Sequence, residues 1–330
     1  MESTENTLSE PEYTVFEYDN KNKRDIEHKI KTREAGEIGG TNDTKYRMTF
    51  HENNKQISPW HDIPLKTGQK EGIYNFICEI PKYTKSKMEI NTKWVLNPIE
   101  QDINKNGKPR EYHGPIYWNY GCLPQTWENP DNLDKELHHK GDNDPLDVVE
   151  IGDGAMNIGE IAPVKVLGIL AMIDDNEVDW KVIAIRTNAT LTIGKDEIPA
   201  NIINVIDNVP KEVLSGIREW FRWYKTPDGK SLNKFGLNEK FKDKNFAINI
   251  INETNKEYKK LLDNGVDSYT KDEVKKLILK SGNQKGGMRK RRTSRRTKRK
   301  RKSSNKNKRT KRKRNTSKKS RRTRTRTRRH

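Results

Sequence analysis

Three aspartates, Asp142, Asp144 and Asp147, lie within six residues of one stretch of the chain, residues 141–152. Ionised carboxylates about 4 Å apart repel by roughly 1 kcal/mol in water and about 4 kcal/mol near a protein surface. A divalent cation removes that repulsion, and hard oxygen ligands suit magnesium or manganese better than zinc. Because Pro145 disfavours helical backbone at Asp144, we expect Asp142 and Asp144 to project from one face of an extended segment, with Asp147 brought round by the turn. The competing interpretation is a solvated acidic turn before a buried strand.

Other polar residues occur where strands are predicted to begin, end or turn. Asp179 and Lys181 are two apart on a strand-like run, so their side chains share a face, and Lys87 and Glu89 repeat this spacing earlier in the chain. The remaining candidates are Glu79, Arg110, Tyr120, Asp174, Tyr224 and Lys225. Charged pairs on strands are also common on the solvated side of a sheet. Tyr224 belongs to an apolar helical stripe, so the pattern alone favours a core position for it.

The chain contains several strand-like segments. Residues 46–50, 73–80 and 88–95 are short, partly alternating apolar runs separated by Pro and Gly, which predicts strands. Residues 164–173 and 178–187 are two β-branched, apolar runs joined by a polar turn, which predicts a hairpin.

Helical patterns follow the strands. One begins at Pro210, a second covers about 245–262, and a third starts at Thr270, whose spacing from Glu273 forms a capping box. Runs of strands followed by helices predict an α+β domain with a mainly antiparallel sheet or barrel.

Charge divides the chain into two parts. Of the 67 Lys and Arg residues, 27 lie in residues 285–330, where there is no Asp or Glu; residues 1–284 therefore carry 40 basic and 47 acidic residues. The hydrophobic content is 30% and the mean hydropathy is −1.12, low enough to indicate that part of the chain is not folded. We expect a polar N-terminal extension with at most one early strand (1–44), a folded domain (45–282) and a disordered basic tail (283–330).

Two cysteines, Cys78 and Cys122, lie among apolar or aromatic neighbours and are too few for a disulfide framework. This pattern suits a reducing compartment. The N-terminal residues lack an apolar signal segment, and the longest apolar run is interrupted by Lys165 and Gly168. We therefore expect a soluble, cytoplasmic protein without a membrane partner.

Short motifs occur in order between about residues 45 and 262. They are His61-Asp62-Ile63-Pro64-Leu65, Glu79-Ile80-Pro81, Lys87-Met88-Glu89-Ile90, Asn119-Tyr120-Gly121, Leu123-Pro124-Gln125-Thr126-Trp127-Glu128, Asp142-x-Asp144-Pro145-x-Asp147, Asp179-Trp180-Lys181 and Tyr224-Lys225-x-Pro227-Asp228-Gly229. Together they resemble the soluble family I inorganic pyrophosphatases, most closely the eukaryotic branch.

The resemblance implies a five-stranded, OB-like β-barrel flanked by helices, and an acidic cavity where several magnesium ions, or manganese as a substitute, support hydrolysis of pyrophosphate to two phosphates. It matches metal ligands to Asp142, Asp147, Asp174, Asp179 and Glu89, with Glu79 in the acidic cavity. Asp144 matches the general base. Groups that hold phosphate oxygens match Lys87, Arg110, Lys181, Tyr120, Tyr224 and Lys225. The resemblance also implies a homodimer.

One position departs from the family pattern. Members usually carry a second active-site tyrosine four residues before the tyrosine of Asn-Tyr-Gly, where this chain has Ile116, followed by Tyr117. The short spacing from Arg110 to Tyr120 indicates a local deletion that has reshaped this loop. None of the five matched ligand carboxylates is missing, so we expect activity to survive.

The basic tail predicts a second property. It consists mostly of Lys, Arg, Ser, Thr and Asn, so it should bind the phosphate backbone of nucleic acid or another polyanion in a salt-dependent way. It contains no aromatic residue, which argues against base stacking. The alternatives are a role in solubility or nuclear import, docking of the tail on the acidic cavity, or a nucleic-acid packaging protein with a vestigial pyrophosphatase fold.

Overall fold

The computed structural model describes residues 10–19, 21–22, 24–34, 46–68 and 72–264. All of them fall within the first of the two units into which the chain divides, residues 1–285. The helix predicted from Thr270 and the basic tail lie outside the described residues, so both stay predictions. None of the described helices is long and apolar enough to cross a lipid bilayer.

Strands outnumber helices in the described part of the chain. The strands are β1 (Glu12–Asp19), β2 (Arg24–Glu34), β3 (Arg47–Glu52), β4 (Lys55–Ile57), β5 (Ile73–Ile80), β6 (Met88–Ile90), β7 (Ile99–Gln101), β8 (Asn119–Cys122), β9 (Lys140–Gly141), β10 (Asp147–Glu150), β11 (Ile161–Asp174), β12 (Glu177–Arg186), β13 (Thr190–Ile193), β14 (Asp196–Pro199), β15 (Lys234–Phe235) and β16 (Lys242–Asp243). The α-helices are α1 (Lys211–Trp223) and α2 (Lys244–Asn264), and single-turn 3-10 helices span Ile206–Asn208, Thr226–Asp228 and Leu237–Glu239.

Five strands close into a ring. β11 pairs with β5, β5 with β8, β8 with β10, β10 with β12, and β12 pairs back with β11. Among these five pairings, that of β10 with β12 is parallel and the other four are antiparallel. The predicted hairpin is confirmed as β11 and β12. Its two turn residues, Asp175 and Asn176, have φ values of 46° and 74°, the left-handed backbone that matches the twist of a hairpin.

The strands of the ring present alternating side chains to two apolar clusters. On β12, Val182 and Ala184 pack in one cluster with Ala247 of α2, whereas Ile183 packs in the other with Ile217 of α1. Since side chains two apart on a strand share a face, Asp179 and Lys181 lie on the same side as Ile183. The charged residues therefore extend the face that α1 covers.

The second sheet has the strand order β1-β2-β3-β7-β6, and β4 also pairs with residues 50–52 of β3. β1 and β2 lie in the residues expected to form a polar extension with at most one early strand. That expectation was wrong for this stretch, because β2 pairs with β3 from Ile30 to Glu34 and because Val15 and Ile30 are buried in the core. The apolar residues of these two strands stand among many charged and polar residues, and the strand period was missed in the sequence.

The C-terminal end of α1 reaches the charged face of the ring. α1 begins after Pro210, as predicted, and buries Ile217 and Phe221. The 3-10 turn that follows ends at Gly229, whose φ of 75° favours glycine. Tyr224 and Lys225 are held between this turn and the helix.

Candidate active site

A cleft of about 820 Å³ opens beside the ring, between its charged face and the end of α1. Every site residue predicted from the sequence lines this cleft: Glu79, Lys87, Glu89, Arg110, Tyr120, Asp142, Asp144, Asp147, Asp174, Asp179, Lys181, Tyr224 and Lys225. The fold thus brings together carboxylates, cations and phenols from seven separate parts of the chain.

The loop that carries Asp142 and Asp144 is joined by backbone hydrogen bonds to the loop that ends at Glu128. The Glu128 N–H donates to the Asp144 carbonyl at 2.9 Å, and the Asn143 N–H donates to the Glu128 carbonyl at 2.9 Å. Gly141 permits this approach, because a Cβ there would lie 2.4 Å from the Glu128 carbonyl carbon. Asn143 has a φ of 76°, so the segment is not extended as expected, although both aspartates reach the cleft.

Lys181 is the buried cation at the centre of the site, with 1% of its surface exposed. Across the parallel pairing of β10 and β12 its ammonium donates to Asp147 Oδ2 at 2.5 Å, and it also donates to Asp179 and, at 3.0 Å, to the Tyr120 hydroxyl. Burial alone would lower its pKa, but Asp147 and Asp179 raise it well above the usual lysine value. Lys181 therefore stays charged, as a buried ammonium with two carboxylate partners should.

Lys87 and Arg110 converge on one carboxylate that the sequence analysis missed, Asp102. Lys87 Nζ lies 3.1 Å from Asp102 Oδ2 and 2.7 Å from Glu89 Oε2, and Arg110 Nη1 lies 2.5 Å from Asp102 Oδ2. Burial opposes the charge on Lys87, yet Glu89 and other neighbours raise its pKa well above the usual value. The sequence did hold an indication of this contact, because a polar turn follows Asp102. That turn reverses the chain and brings Arg110 back beside Asp102.

Tyr224 and Lys225 bind Asp174 at the turn of the long hairpin. The Tyr224 hydroxyl donates to Asp174 Oδ2 at 3.0 Å, and the Lys225 ammonium donates to Asp174 Oδ1. Burial raises the pKa of Tyr224 well above 10, so its hydroxyl remains a donor. Tyr224 is thus both part of the helix stripe and part of the site.

A buried carboxylate cluster forms deep in the site, where Glu128, Asp142 and Asp179 each place an oxygen within 4.8 Å of the others. Glu128 is 4% exposed; its Oε1 accepts the Trp180 N–H at 3.1 Å, while its Oε2 is buried without a hydrogen-bond partner. Burial, followed by Asp142 and Asp179, raises the pKa of Glu128 well above its usual value. When ionised, these three carboxylates offer only acceptor oxygens, one of them without a hydrogen-bond partner, and such a set fits a divalent cation.

Two further carboxyl groups have raised pKa values. Glu79 is buried and accepts the Ile90 N–H at 2.7 Å; burial and then the charge of Asp147 raise its pKa well above the usual value. Asp144 opens onto the cleft. Partial desolvation by the surrounding protein, followed by the charges of Glu89 and Asp147, raises the pKa of Asp144 to about 7. A carboxylate with this pKa suits proton transfer near neutral pH.

Glu128 could have been found in the sequence only from the Trp-Glu motif, since its neighbours suggest a core segment. Tyr112, a buried residue that lines the cleft, was also missed. In contrast, the two residues of the altered loop that were considered lie outside the cleft: Ile116 is fully buried and Tyr117 is 49% exposed.

Comparison with known proteins agrees with this geometry. Residues 76–259 match the family model described as inorganic pyrophosphatase. The chain is 46% identical over 237 residues to the chloroplastic soluble inorganic pyrophosphatase 6 of Arabidopsis thaliana, covering 70% of this chain and 75% of that protein. It is 43% identical over 246 residues to the inorganic pyrophosphatase of Drosophila melanogaster, covering 73% and 71% of the two chains.

Solved structures give the same result. A recombinant inorganic pyrophosphatase from T. brucei brucei is 41% identical, with a TM-score of 0.63 and coverage of 71% of this chain and 70% of that chain. The truncated vacuolar soluble pyrophosphatase of Trypanosoma cruzi, solved in complex with PPi, is 43% identical with a TM-score of 0.63, covering 71% and 91%. The chain belongs to the inorganic pyrophosphatase family.

Proposed function

We propose that this chain hydrolyses inorganic pyrophosphate to two orthophosphates in the cleft, with magnesium as its cofactor. The observation that carries the proposal is the convergence of acceptor-only carboxylates and phosphate-binding cations on one cavity. Pyrophosphate needs both, because it is a concentrated anion that repels a nucleophile until its charge is offset.

The carboxylates of the cleft have the donor set for magnesium. Asp142, Asp179 and Glu128 would hold an ion in the buried cluster, and the same chemistry is available at Asp147, Asp174, Glu89 and Glu79. Bound magnesium, or manganese in its place, supplies charge neutralisation on phosphate oxygens and acidifies coordinated water. The several ions per site that the resemblance implies are part of this proposal.

The proton and the phosphates are handled by side chains. Asp144 accepts a proton from the attacking water, whose oxygen bonds to one phosphorus while the bridging oxygen leaves with the other phosphate. Lys87 and Arg110 hold one phosphate group, and Lys181, Tyr120, Tyr224 and Lys225 hold the other through charge-assisted hydrogen bonds. The ion pairs of these cations with Asp102, Asp147 and Asp174 position them before substrate binds.

Phosphate release from magnesium pyrophosphate tests the proposal. Asp144→Asn keeps the shape of the side chain and removes the base, so turnover should fall by roughly 100-fold or more, the range for a lost general base. Turnover that is absent from the intact, folded protein, or unchanged in Asp144→Asn, would contradict it. The alternative of a packaging protein with a vestigial site is disfavoured, because every matched residue lines the cleft.

We further propose that the basic tail, which lies outside the described residues, holds the enzyme on nucleic acid near reactions that release pyrophosphate. Its support is the contrast between 27 basic residues in 285–330 and the excess of acidic residues before them. Deleting residues 285–330 should abolish retention on DNA or RNA at about 150 mM salt. Retention that is unchanged by the deletion would exclude this role. If the tail instead docks on the acidic cleft, the deletion would lower the KM at low salt.

The remaining proposals concern assembly and location. We propose a homodimer, an OB-like classification of the five-stranded ring, and a cytoplasmic location with nuclear entry through the basic tail. Sedimentation of the intact chain tests the first, and the distribution of tail-deleted and intact protein in cells tests the last.

A further inference from the structure

In the altered loop between Arg110 and Tyr120, the tyrosine that lines the cleft is not at the position that the family pattern gives. Tyr112 lines the cleft and is 8% exposed. Tyr117 points elsewhere, with its ring 6.4 Å from that of Tyr83 and 6.1 Å from that of Trp118. Ile116 has no polar group to offer. The shortened segment between Arg110 and Tyr120 therefore contributes Tyr112 to the site.

The ring of Tyr112 is held rigidly. It makes edge contacts with Trp220 at 5.0 Å and with Tyr224 at 5.6 Å between ring centroids, both with interplanar angles of 85°. Its backbone N–H donates to the Lys85 carbonyl at 2.7 Å. The rings of Trp220 and Tyr224 and the backbone hydrogen bond together fix the ring of Tyr112, so the fold sets the position of its hydroxyl.

That hydroxyl faces the cleft with its donor free. None of the described residues forms a hydrogen bond with it, and it is not among the fully buried polar atoms that lack a partner, so it is accessible from the cleft. Its electrostatic neighbours are three cations, Lys87, Lys181 and Arg110, and one carboxylate, Asp147. Burial raises the pKa of Tyr112 to about 12 against the opposing effect of Lys87, so the group is a donor at neutral pH. An anionic acceptor placed among these cations would complete its hydrogen bonding.

We propose that Tyr112 is a substrate-binding residue whose hydroxyl donates a hydrogen bond to the phosphate group held by Lys87 and Arg110. It takes the place of the tyrosine that the family pattern puts four residues before Tyr120. This inference rests on the proposed function, because it assigns one contact within that reaction.

The test compares Tyr112→Phe with Tyr117→Phe, each of which removes one hydroxyl and keeps the ring. Kinetics with magnesium pyrophosphate should show kcat/KM about 10-fold lower in Tyr112→Phe, since a hydrogen bond to a charged group is worth roughly that factor or more. Calorimetric binding of inorganic phosphate to the magnesium-loaded protein should weaken by a similar factor. Tyr117→Phe should match the wild type in both measurements, and Tyr112→Phe should keep the wild-type melting temperature.

The two readouts separate this inference from the proposed function. A wild-type protein without turnover would defeat the proposed function, while phosphate binding would still decide the role of Tyr112. Unchanged phosphate binding in Tyr112→Phe would overturn the inference, as would equal losses in the two variants. A lower melting temperature with unchanged phosphate affinity would show that the hydroxyl is only structural.

Discussion

The ammonium of Lys181 lies 2.5 Å from Asp147 Oδ2, across the parallel pairing that joins β10 to β12. The same ammonium also donates to Asp179, so one buried cation offsets two carboxylates of the site. Sequence spacing predicted that Asp179 and Lys181 share a face. The register of β10 against β12 then adds Asp147, which is 34 residues away in the chain.

Lys181→Met should therefore destabilise the protein strongly when magnesium is chelated. The substitution leaves Asp147 and Asp179 without their cation, and removing one partner of a buried ion pair costs about 3 to 5 kcal/mol. Urea unfolding with and without magnesium measures this loss. Lys195→Met, at an exposed lysine, is the control and should stay within about 0.5 kcal/mol of wild type. An unchanged urea midpoint in Lys181→Met would contradict the importance of this pair.

Sequence analysis predicted the elements and residues that depend only on local spacing along the chain. The aspartates of the 141–152 stretch, the hairpin of β11 and β12, and the helix after Pro210 all belong to this class. It did not predict Glu128 or Tyr112, because their place in the site depends on contacts far along the chain. Glu128 lies beside Asp142 because its loop is hydrogen-bonded to Asn143 and Asp144, and beside Asp179 because it accepts the Trp180 N–H. Tyr112 is oriented by the ring of Trp220 on α1. Tertiary contacts of this kind leave no periodic signal.

Glu128→Gln should change stability and magnesium affinity in opposite directions. The amide keeps an oxygen for the Trp180 N–H. It also removes a carboxyl group that ionises freely in the unfolded chain but whose charge is opposed in the folded protein by burial and by Asp142 and Asp179, so the magnesium-free protein should become more stable at neutral pH. Magnesium binding, measured by calorimetry, should weaken about 10-fold because one carboxylate of the site is lost.

Glu150→Gln is the matched control for that prediction. Glu150 is also fully buried, but it accepts hydrogen bonds from Asn119 at 2.8 Å and from the backbone of Gly152 at 2.9 Å, and it does not line the cleft. Its substitution should lower stability and leave magnesium affinity unchanged. Equal magnesium affinities of Glu128→Gln and wild type would contradict a metal-holding role for Glu128.

Gly141→Ala should reduce activity strongly, although it adds only one methyl group. The added Cβ would lie 2.4 Å from the Glu128 carbonyl carbon, so the loop of Asp142 and Asp144 must move away. Since a displacement of about 1 Å costs on the order of 100-fold in rate, phosphate release should fall by about that factor. Gly114→Ala is the control, because a Cβ there meets nothing within 4 Å. Comparable activity in the two variants would show that the hydrogen-bonded loops do not position the aspartates.

His61 should make the protein less stable as the solution is acidified. Its ring lies against Trp60 at 4.5 Å, its Nδ1 is 2.8 Å from the Tyr258 hydroxyl, and burial lowers its pKa from 6.5 to about 3. Between these two pH values the unfolded chain binds a proton that the folded chain does not. The free energy of unfolding should thus fall by up to about 1.4 kcal/mol for each pH unit below 6.5.

The variant His61→Gln isolates this contribution from that of the other groups. Glutamine does not titrate, so the unfolding free energy of wild type minus that of the variant should fall steadily from pH 7 toward pH 4. Urea unfolding at a series of pH values measures it. His138→Asn, at an exposed position with a φ of 56° that asparagine tolerates, should keep the wild-type slope. Parallel pH profiles of wild type and His61→Gln would mean that His61 takes up a proton in the folded protein as readily as in the unfolded chain. That result would contradict the lowering of its pKa by burial.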